Sequence, residues 1–169
     1  MVKVTVPLDC SLNVVVVKIP DHTNNCYVFI VNVYIPPSNS TRKGIKSDPV
    51  ANFDFLQDLL SQIRDNPSDE IVLCGDLNAR LGCAVDFIQD DNGDKYIIND
   101  VAGALEPLVI PESSPISTSR NNQDKGINQH KQPFLDLTQS QNLLILNGRT
   151  LGDLAVSYTH LTLPTIYSV

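Results

Sequence analysis

Residues 71–78 read IVLCGDLN, a short apolar run that ends in Gly75, Asp76, Leu77 and Asn78. The run is typical of a buried strand, and the glycine lets the backbone turn closely at the carboxyl end of that strand. Open α/β sheets usually bind their ligands outside the carboxyl ends of their strands. This stretch therefore predicts an α/β fold and indicates where its chemistry would lie.

The segment before this strand predicts a helix over residues 49–64. Its apolar residues recur at three- and four-residue spacing, at Val50, Phe53, Leu56, Leu60 and Ile63. The residue before it, at position 48, is an aspartate suited to cap the helix, and a proline stands at its first position. The pattern is that of an amphipathic helix with one face in the core.

Further towards the amino terminus, residues 13–19 (NVVVVKI) and 26–35 (CYVFIVNVYI) are β-branched and aromatic runs separated by a polar turn. They predict a hairpin of two buried strands, which Pro36 and Pro37 end. Strand, helix and strand in succession favour an α/β layer arrangement.

Further towards the carboxyl terminus, residues 107–133 are rich in Ser, Asn, Gln and Pro and predict a long, mobile surface insertion. A short helix is expected over 134–140 and a strand over 143–146. His22 and His130 stand in polar contexts, for which solvent exposure is the expectation.

Composition limits the classes of protein to which the chain can belong. Its 169 residues, 42% of them hydrophobic, fit one globular domain and argue against wholesale disorder. The net charge of −7, without a basic stripe, argues against a protein that simply coats nucleic acid. No apolar run is long enough for a membrane span, and the four cysteines match neither a zinc spacing nor a disulfide framework. We therefore expect an intracellular protein with free thiols.

Asp76 and Asn78 are the first candidates for chemistry. In an extended segment, residues two apart point to the same side, so these two side chains would project together while Leu77 anchors the backbone. A carboxylate can orient or deprotonate a water molecule, and an amide can hold a phosphoryl oxygen. On spacing alone, an Asx turn after the strand is the competing interpretation, and the one that we favour.

Three motifs in order carry a resemblance to a known family. They are residues 33–37 (VYIPP), residues 75–80 (GDLNAR), and residues 146–149 (LNGR) with Gly152 and Asp153. Together they resemble the endonuclease/exonuclease/phosphatase family, and most closely the endonuclease domains of LINE-type (non-LTR) retrotransposon polyproteins. The resemblance covers about residues 13–153. It implies a two-sheet α/β sandwich with helices outside, and a Mg²⁺-dependent phosphodiester hydrolase whose partner is DNA, which it nicks.

The resemblance also implies roles for individual residues. Asp76 resembles the carboxylate that positions the attacking water, and Asn78 resembles the amide that orients the scissile phosphate. Tyr34 resembles a tyrosine that contacts the phosphate; from the residues alone, a rim or core aromatic is the preferred interpretation. Asn147 and Arg149 resemble a segment bordering the cleft and are weak candidates for substrate binding, with a strand-ending turn as the alternative.

The family pattern is incomplete in this chain. A metal-binding Glu and an Asn are expected before the first motif, and an Asp and an Asp-His pair after residue 153, and neither block is present. We therefore expect residues 1–154 to be an endonuclease-type domain truncated at both ends, with Mg²⁺ as a family cofactor whose ligands are unknown here, and with little activity. A non-catalytic interaction module that keeps the fold, or a phosphatase of the same superfamily, are the alternatives.

The last segment has a different character. Residues 156–165 (VSYTHLTLPT) resemble the translation of a sequencing-library adapter, and the chain from residue 154 to its end carries no charged residue. Residues 155–169 are therefore expected to be a non-native tail.

Overall fold

The described part of the chain forms ten strands and two helices. The computed structural model describes residues 10–42, 45–64, 66, 68–82, 84–92, 94–99, 104–107, 117, 119–121, 124–149 and 166–168. The strands are β1 (Asn13–Asp21), β2 (Cys26–Tyr34), β3 (Thr41–Arg42), β4 (Ile45–Lys46), β5 (Glu70–Asp76), β6 (Ile88–Gln89), β7 (Lys95–Asn99), β8 (Ala104–Pro107), β9 (Leu143–Ile145) and β10 (Ile166–Ser168). The helices are α1 (Pro49–Ile63) and α2 (Lys131–Ser140).

The predicted hairpin and first helix are confirmed. β1 and β2 pair antiparallel from Asn13 opposite Tyr34 to Asp21 opposite Cys26. Helix α1 begins after Asp48, whose carboxylate accepts the Val50 N–H at 2.9 Å, so the expected cap satisfies an otherwise free helical donor.

One residue of the predicted helix face lies elsewhere. Val50 was expected to face the core, but it is 55% exposed, because the first turn of α1 points this position to solvent. The buried residue of that turn is Asn52, whose side-chain oxygen accepts the Ser11 N–H at 3.0 Å. Its amide nitrogen donates to the hydroxyls of Ser11 and Ser47, so this polar side chain is buried at little cost.

The main sheet has five strands in the order β1-β2-β5-β10-β9. β2 and β5 run parallel and are connected through α1, whereas the other three pairs are antiparallel. A three-stranded antiparallel sheet (β6-β7-β8) and a two-stranded one (β3-β4) complete the strands of the described residues. The fold is thus mixed α/β, as predicted, and the described residues do not establish a two-sheet sandwich.

The two faces of the main sheet differ in burial. Alternate residues of β2 and β5, namely Phe29, Val31, Val33, Ile71 and Leu73, are buried in one apolar cluster with residues of both helices. The opposite face of β1 carries Val15, Val17 and Ile19 at 50, 38 and 41% exposure. We call this second face the open face; it comprises alternate positions of three strands, Val15, Val17, Ile19, Val28, Ile30, Asn32, Tyr34, Val72, Cys74 and Asp76.

The carboxyl-terminal predictions have mixed outcomes. A helix and a strand occur as expected, with α2 beginning at Lys131 rather than 134 and β9 covering Leu143–Ile145. Of the predicted insertion at 107–133, residues 108–116, 118, 122 and 123 lie outside the described residues, while 124–133 pack against the chain as set out below. Residues 150–165 and 169 also lie outside them, but Ile166–Ser168 form β10 between β5 and β9. The non-native origin of the tail stays a prediction.

Among the described residues, no helix combines the length and apolar character that crossing a membrane requires. Among them, Cys26 and Cys74 are free thiols, as expected, and the Cys10 thiol donates to the carbonyl of Ala51 at 3.5 Å.

Candidate functional site

Tyr34 and Asp76 are neighbours at the carboxyl ends of two parallel strands. They are paired positions in the register of β2 and β5, and Asn13 of β1 is paired with Tyr34 on its other side. Paired residues of adjacent strands project to the same face, here the open face. Both side chains are exposed, Tyr34 by 38% of its surface, so a phenol and a carboxylate are presented together to solvent.

Gly75 allows the two strands to approach just before this pair. Its φ is +117°, and a Cβ at this position would lie 1.9 Å from the carbonyl oxygen of Val33. No side chain other than hydrogen fits there, because the obstacle is backbone of the neighbouring strand. The parallel pairing that places Asp76 beside Tyr34 therefore requires a glycine at position 75.

Asp76 and Asn78 are held together by an Asx turn. The Asn78 N–H donates to Asp76 Oδ1 at 3.0 Å, and Asn78 has a left-handed φ of +48°. The backbone at Asn78 is therefore not the extended segment from which the two side chains were expected to project together; the competing interpretation, the Asx turn, is the observed one. Leu77 between them is fully buried, which confirms its predicted anchoring role.

The Asn78 side chain ties this turn back to the end of β2. Its amide nitrogen donates to the carbonyl of Ile35 at 2.8 Å, and the Ile35 N–H donates to the carbonyl of Asp76 at 2.8 Å. Tyr34 directly precedes Ile35, so these two bonds fix its backbone relative to Asp76. With its nitrogen engaged, Asn78 acts here as a positioning group for the other two residues.

A second segment, residues 124–130, is hydrogen-bonded to the turn at Asn78 and to Arg80. The Asn128 amide nitrogen donates to the carbonyl of Asn78 at 2.6 Å, and its oxygen accepts the Arg80 N–H at 3.1 Å. The Arg80 guanidinium makes two bonds to the carboxylate of Asp124, at 2.9 and 3.0 Å. This contact lowers the pKa of Asp124 and raises that of Arg80, each through the hydrogen bond first. Part of the predicted insertion is therefore a support for the site.

His130 differs most from its prediction. It was expected to be exposed, but it is fully buried beneath the site, where its Nε2 lies 3.2 Å from the carbonyl oxygen of Pro36. Its ring stands edge-on to Phe53 of α1, with centroids 6.1 Å apart. Burial lowers the pKa of His130, and the Pro36 carbonyl and the charge of Asp76 oppose that shift in part. Long-range contacts, rather than the polar sequence around it, decide its environment.

Arg149 is a buried structural residue in this fold. Its guanidinium pairs with the carboxylate of Asp86, and both side chains have no exposed surface. Its Nε and Nη1 donate to the carbonyls of Ile145 and Ser117, at 2.8 and 2.9 Å. A substrate-binding role would need an exposed guanidinium, so the placement favours the structural alternative. Asn147, the other weak candidate, is half-buried in the turn after β9, and its carbonyl accepts from Arg120.

The described residues do not fit a magnesium site by themselves. No group of three or more His, Cys, Asp or Glu side chains in this part of the chain is arranged to hold a metal ion. One oxygen of Asp76 already accepts the Asn78 N–H. The site presents the exposed carboxylate of Asp76, which can accept a proton from water. It also presents the phenol of Tyr34, which can donate a hydrogen bond to an anionic oxygen.

Sequence reasoning found Tyr34, Asp76 and Asn78, which the fold brings together, but missed the residues that support them. Asn128 and His130 lie about fifty residues after Asn78 in the chain. The one sequence signal for them was a polar segment directly before a predicted helix. Searches against models of known protein families, curated proteins and solved structures give no match.

Proposed function

We propose that this chain is part of a Mg²⁺-dependent DNA endonuclease of the retrotransposon type, a phosphodiester hydrolase, and that it has little activity by itself. The observation that carries the proposal is the exposed pair of Tyr34 and Asp76 in register at the ends of β2 and β5. The resemblance of the three sequence motifs supplies the substrate class and the cofactor.

The site residues would divide the work as follows. Tyr34 would donate its hydroxyl to a non-bridging phosphate oxygen, and Asp76 would orient a water molecule or accept its proton. Asn78 would hold the two in place through its bonds to Ile35 and Asp76. Positioning of this kind contributes to catalysis by fixing the geometry of attack before reaction.

The open face supports the finer prediction of a two-sheet sandwich. The apolar side chains of Val15, Val17 and Ile19 are exposed on this face, whereas such side chains are ordinarily packed against another layer of the protein. Sheets that pack face to face bury such alternating residues between them. We propose that a second sheet packs on this face in the parent domain, with Tyr34 and Asp76 at the rim between the two sheets.

Titration with a short DNA duplex, followed by NMR, tests the proposed function. We expect chemical-shift changes centred on Tyr34, Asp76 and Asn78, which weaken as salt rises because phosphate contacts release counterions. Asp54→Asn is a matched control for Asp76→Asn, since Asp54 is exposed on α1 and loses the same charge. Changes elsewhere, or equal effects of the two variants, would contradict the proposal. A shallow or absent dependence of DNA affinity on salt would favour the non-catalytic interaction module.

A nicking assay tests the expected lack of activity. With Mg²⁺ and supercoiled plasmid, the chain and its Asp76→Ala variant should nick at the same background rate. A Mg²⁺-dependent difference between them would overturn the claim of low activity.

A further inference from the structure

Pro36 connects the buried His130 with the end of the strand that carries Tyr34. It lies two positions after Tyr34, and its carbonyl oxygen accepts the Ser47 hydroxyl at 3.0 Å in addition to its contact with His130. Proline has no N–H, so this carbonyl is the one backbone hydrogen-bonding group of Pro36. Its contacts therefore bear on the position of the chain directly after β2.

The chemistry of the contact fixes the state of the imidazole. A carbonyl oxygen only accepts hydrogen bonds, so His130 Nε2 must carry a hydrogen. Nδ1 is buried, and among the described residues it has no hydrogen-bond partner. The neutral ring leaves a bare acceptor at Nδ1, whereas the protonated ring would place an N–H donor there with nothing to receive it.

Burial of the ring favours its neutral form. On the α1 side the neighbour is the hydrocarbon edge of Phe53, and the segment after β2 offers the Pro36 carbonyl. Asp76 is the ionisable group of the described residues that acts on His130 through its charge. The Pro36 carbonyl and the Asp76 charge both favour the imidazolium, and Asp76 lies in the candidate site itself.

We propose that His130, as the neutral Nε2–H tautomer, is a positioning residue that holds Pro36 and thereby the Tyr34–Asp76 pair. Any role of His130 in catalysis rests on the proposed function. Its contact with Pro36 can be tested without measuring activity. Protonation of His130 would keep the Nε2–H bond to Pro36 but would bury an unpaired N–H donor at Nδ1, which should disturb the packing under the site. The site should therefore be ordered at neutral pH and disturbed in acid.

The ¹⁵N NMR signals of the His130 ring give the first test. At pH 7.5, Nε2 should give the signal of a protonated nitrogen and Nδ1 that of an unprotonated one. The opposite tautomer, or a charged ring at this pH, would overturn the proposal. This measurement is made on the unaltered chain, and it does not depend on whether the chain binds or cuts DNA.

Two variants separate positioning from simple filling of space. His130→Gln keeps an N–H donor that can reach Pro36 but cannot titrate, and His130→Leu keeps apolar bulk without the donor. The readout is the side-chain amide signal of Asn78 and the backbone amide signals of Ile35 and Asp76. We expect these signals to stay in place in His130→Gln and to shift in His130→Leu at pH 7.5. Similar signals in His130→Leu and the parent chain would contradict the proposal.

The acid titration keeps the test decisive if His130→Leu does not fold. Between pH 7.5 and 5, the Asn78 and Asp76 signals of the parent chain should move together with those of the His130 ring. In His130→Gln that shared movement should be lost. If the Gln variant shows the same movement, the titrating group is not His130 and the proposal fails.

Discussion

Asp76 lies beside Tyr34 because Gly75, the residue before it, has no side chain. The parallel register that pairs the two residues also pairs Gly75 with Val33, whose carbonyl oxygen lies 1.9 Å from the position that a Cβ at Gly75 would take. The local shape of β5 and the composition of the candidate site therefore depend on the same contact.

Substitution of Gly75 should accordingly be severe. Gly75→Ala places a methyl group 1.9 Å from the Val33 carbonyl oxygen, so β2 and β5 must separate. We expect the variant to be insoluble or to lose its cooperative melt. Gly82→Ala is the control, because its φ is also positive, +58°, but its Cβ would meet nothing closer than 3.2 Å. It should cost about 1–2 kcal/mol of unfolding free energy. Equal stability of the two variants in urea unfolding would refute the argument.

The two Arg–Asp pairs should differ in their contribution to stability. Arg149→Met leaves the Asp86 carboxylate buried without its cation, which should cost about 3–5 kcal/mol. Arg80→Met removes a pair whose arginine side chain is 61% exposed, and such exposed pairs contribute little to stability. Urea unfolding of the two variants checks the difference. If Arg149→Met leaves stability unchanged but weakens DNA binding, the substrate-binding role is restored.

Asn128 should support the turn at Asn78 more than its exposed neighbour does. Asn128→Ala removes the donor to the Asn78 carbonyl and the acceptor of the Arg80 N–H. Leaving the partly buried Asn78 carbonyl unpaired should cost about 1–3 kcal/mol, whereas the exposed Arg80 N–H can bond to water instead. Hydrogen exchange at Asn78 and Arg80 should accelerate in this variant, whereas Gln129→Ala should leave it unchanged. Unchanged exchange in Asn128→Ala would show that the turn forms without this support.

The elements predicted correctly are those specified by nearby residues. Helix α1 has its cap, its proline and its apolar spacing within one segment, and Asp48 makes the predicted contact. His130 was misjudged because its partner, Pro36, is 94 residues away in the sequence. The same reason applies to Arg149, whose charge is balanced by Asp86, 63 residues distant. Spacing predicted which residues end the strands, but not which residues lie beneath them.

Stability should fall with acid through His130. Burial lowers its pKa in the folded chain below the ordinary value of 6.5, so as pH falls the unfolded chain takes up the proton first. Proton uptake by the unfolded state lowers the unfolding free energy, so this loss is absent well above pH 6.5 and grows as the pH falls below it. Urea midpoints measured from pH 7.5 to 5 should decline more in the parent chain than in His130→Gln. A parallel decline would assign the effect to other groups.

The central claim, that the Tyr34–Asp76 pair contacts phosphodiesters, is tested most directly by comparing two tyrosines of β2. Tyr34 and Tyr27 are 38 and 42% exposed at opposite ends of the strand. Each Tyr→Phe substitution removes one hydroxyl and keeps the ring. DNA-duplex affinity at low salt should fall about 2- to 10-fold for Tyr34→Phe, the effect of one hydrogen bond, and stay unchanged for Tyr27→Phe. Equal affinities of the two variants would contradict the account.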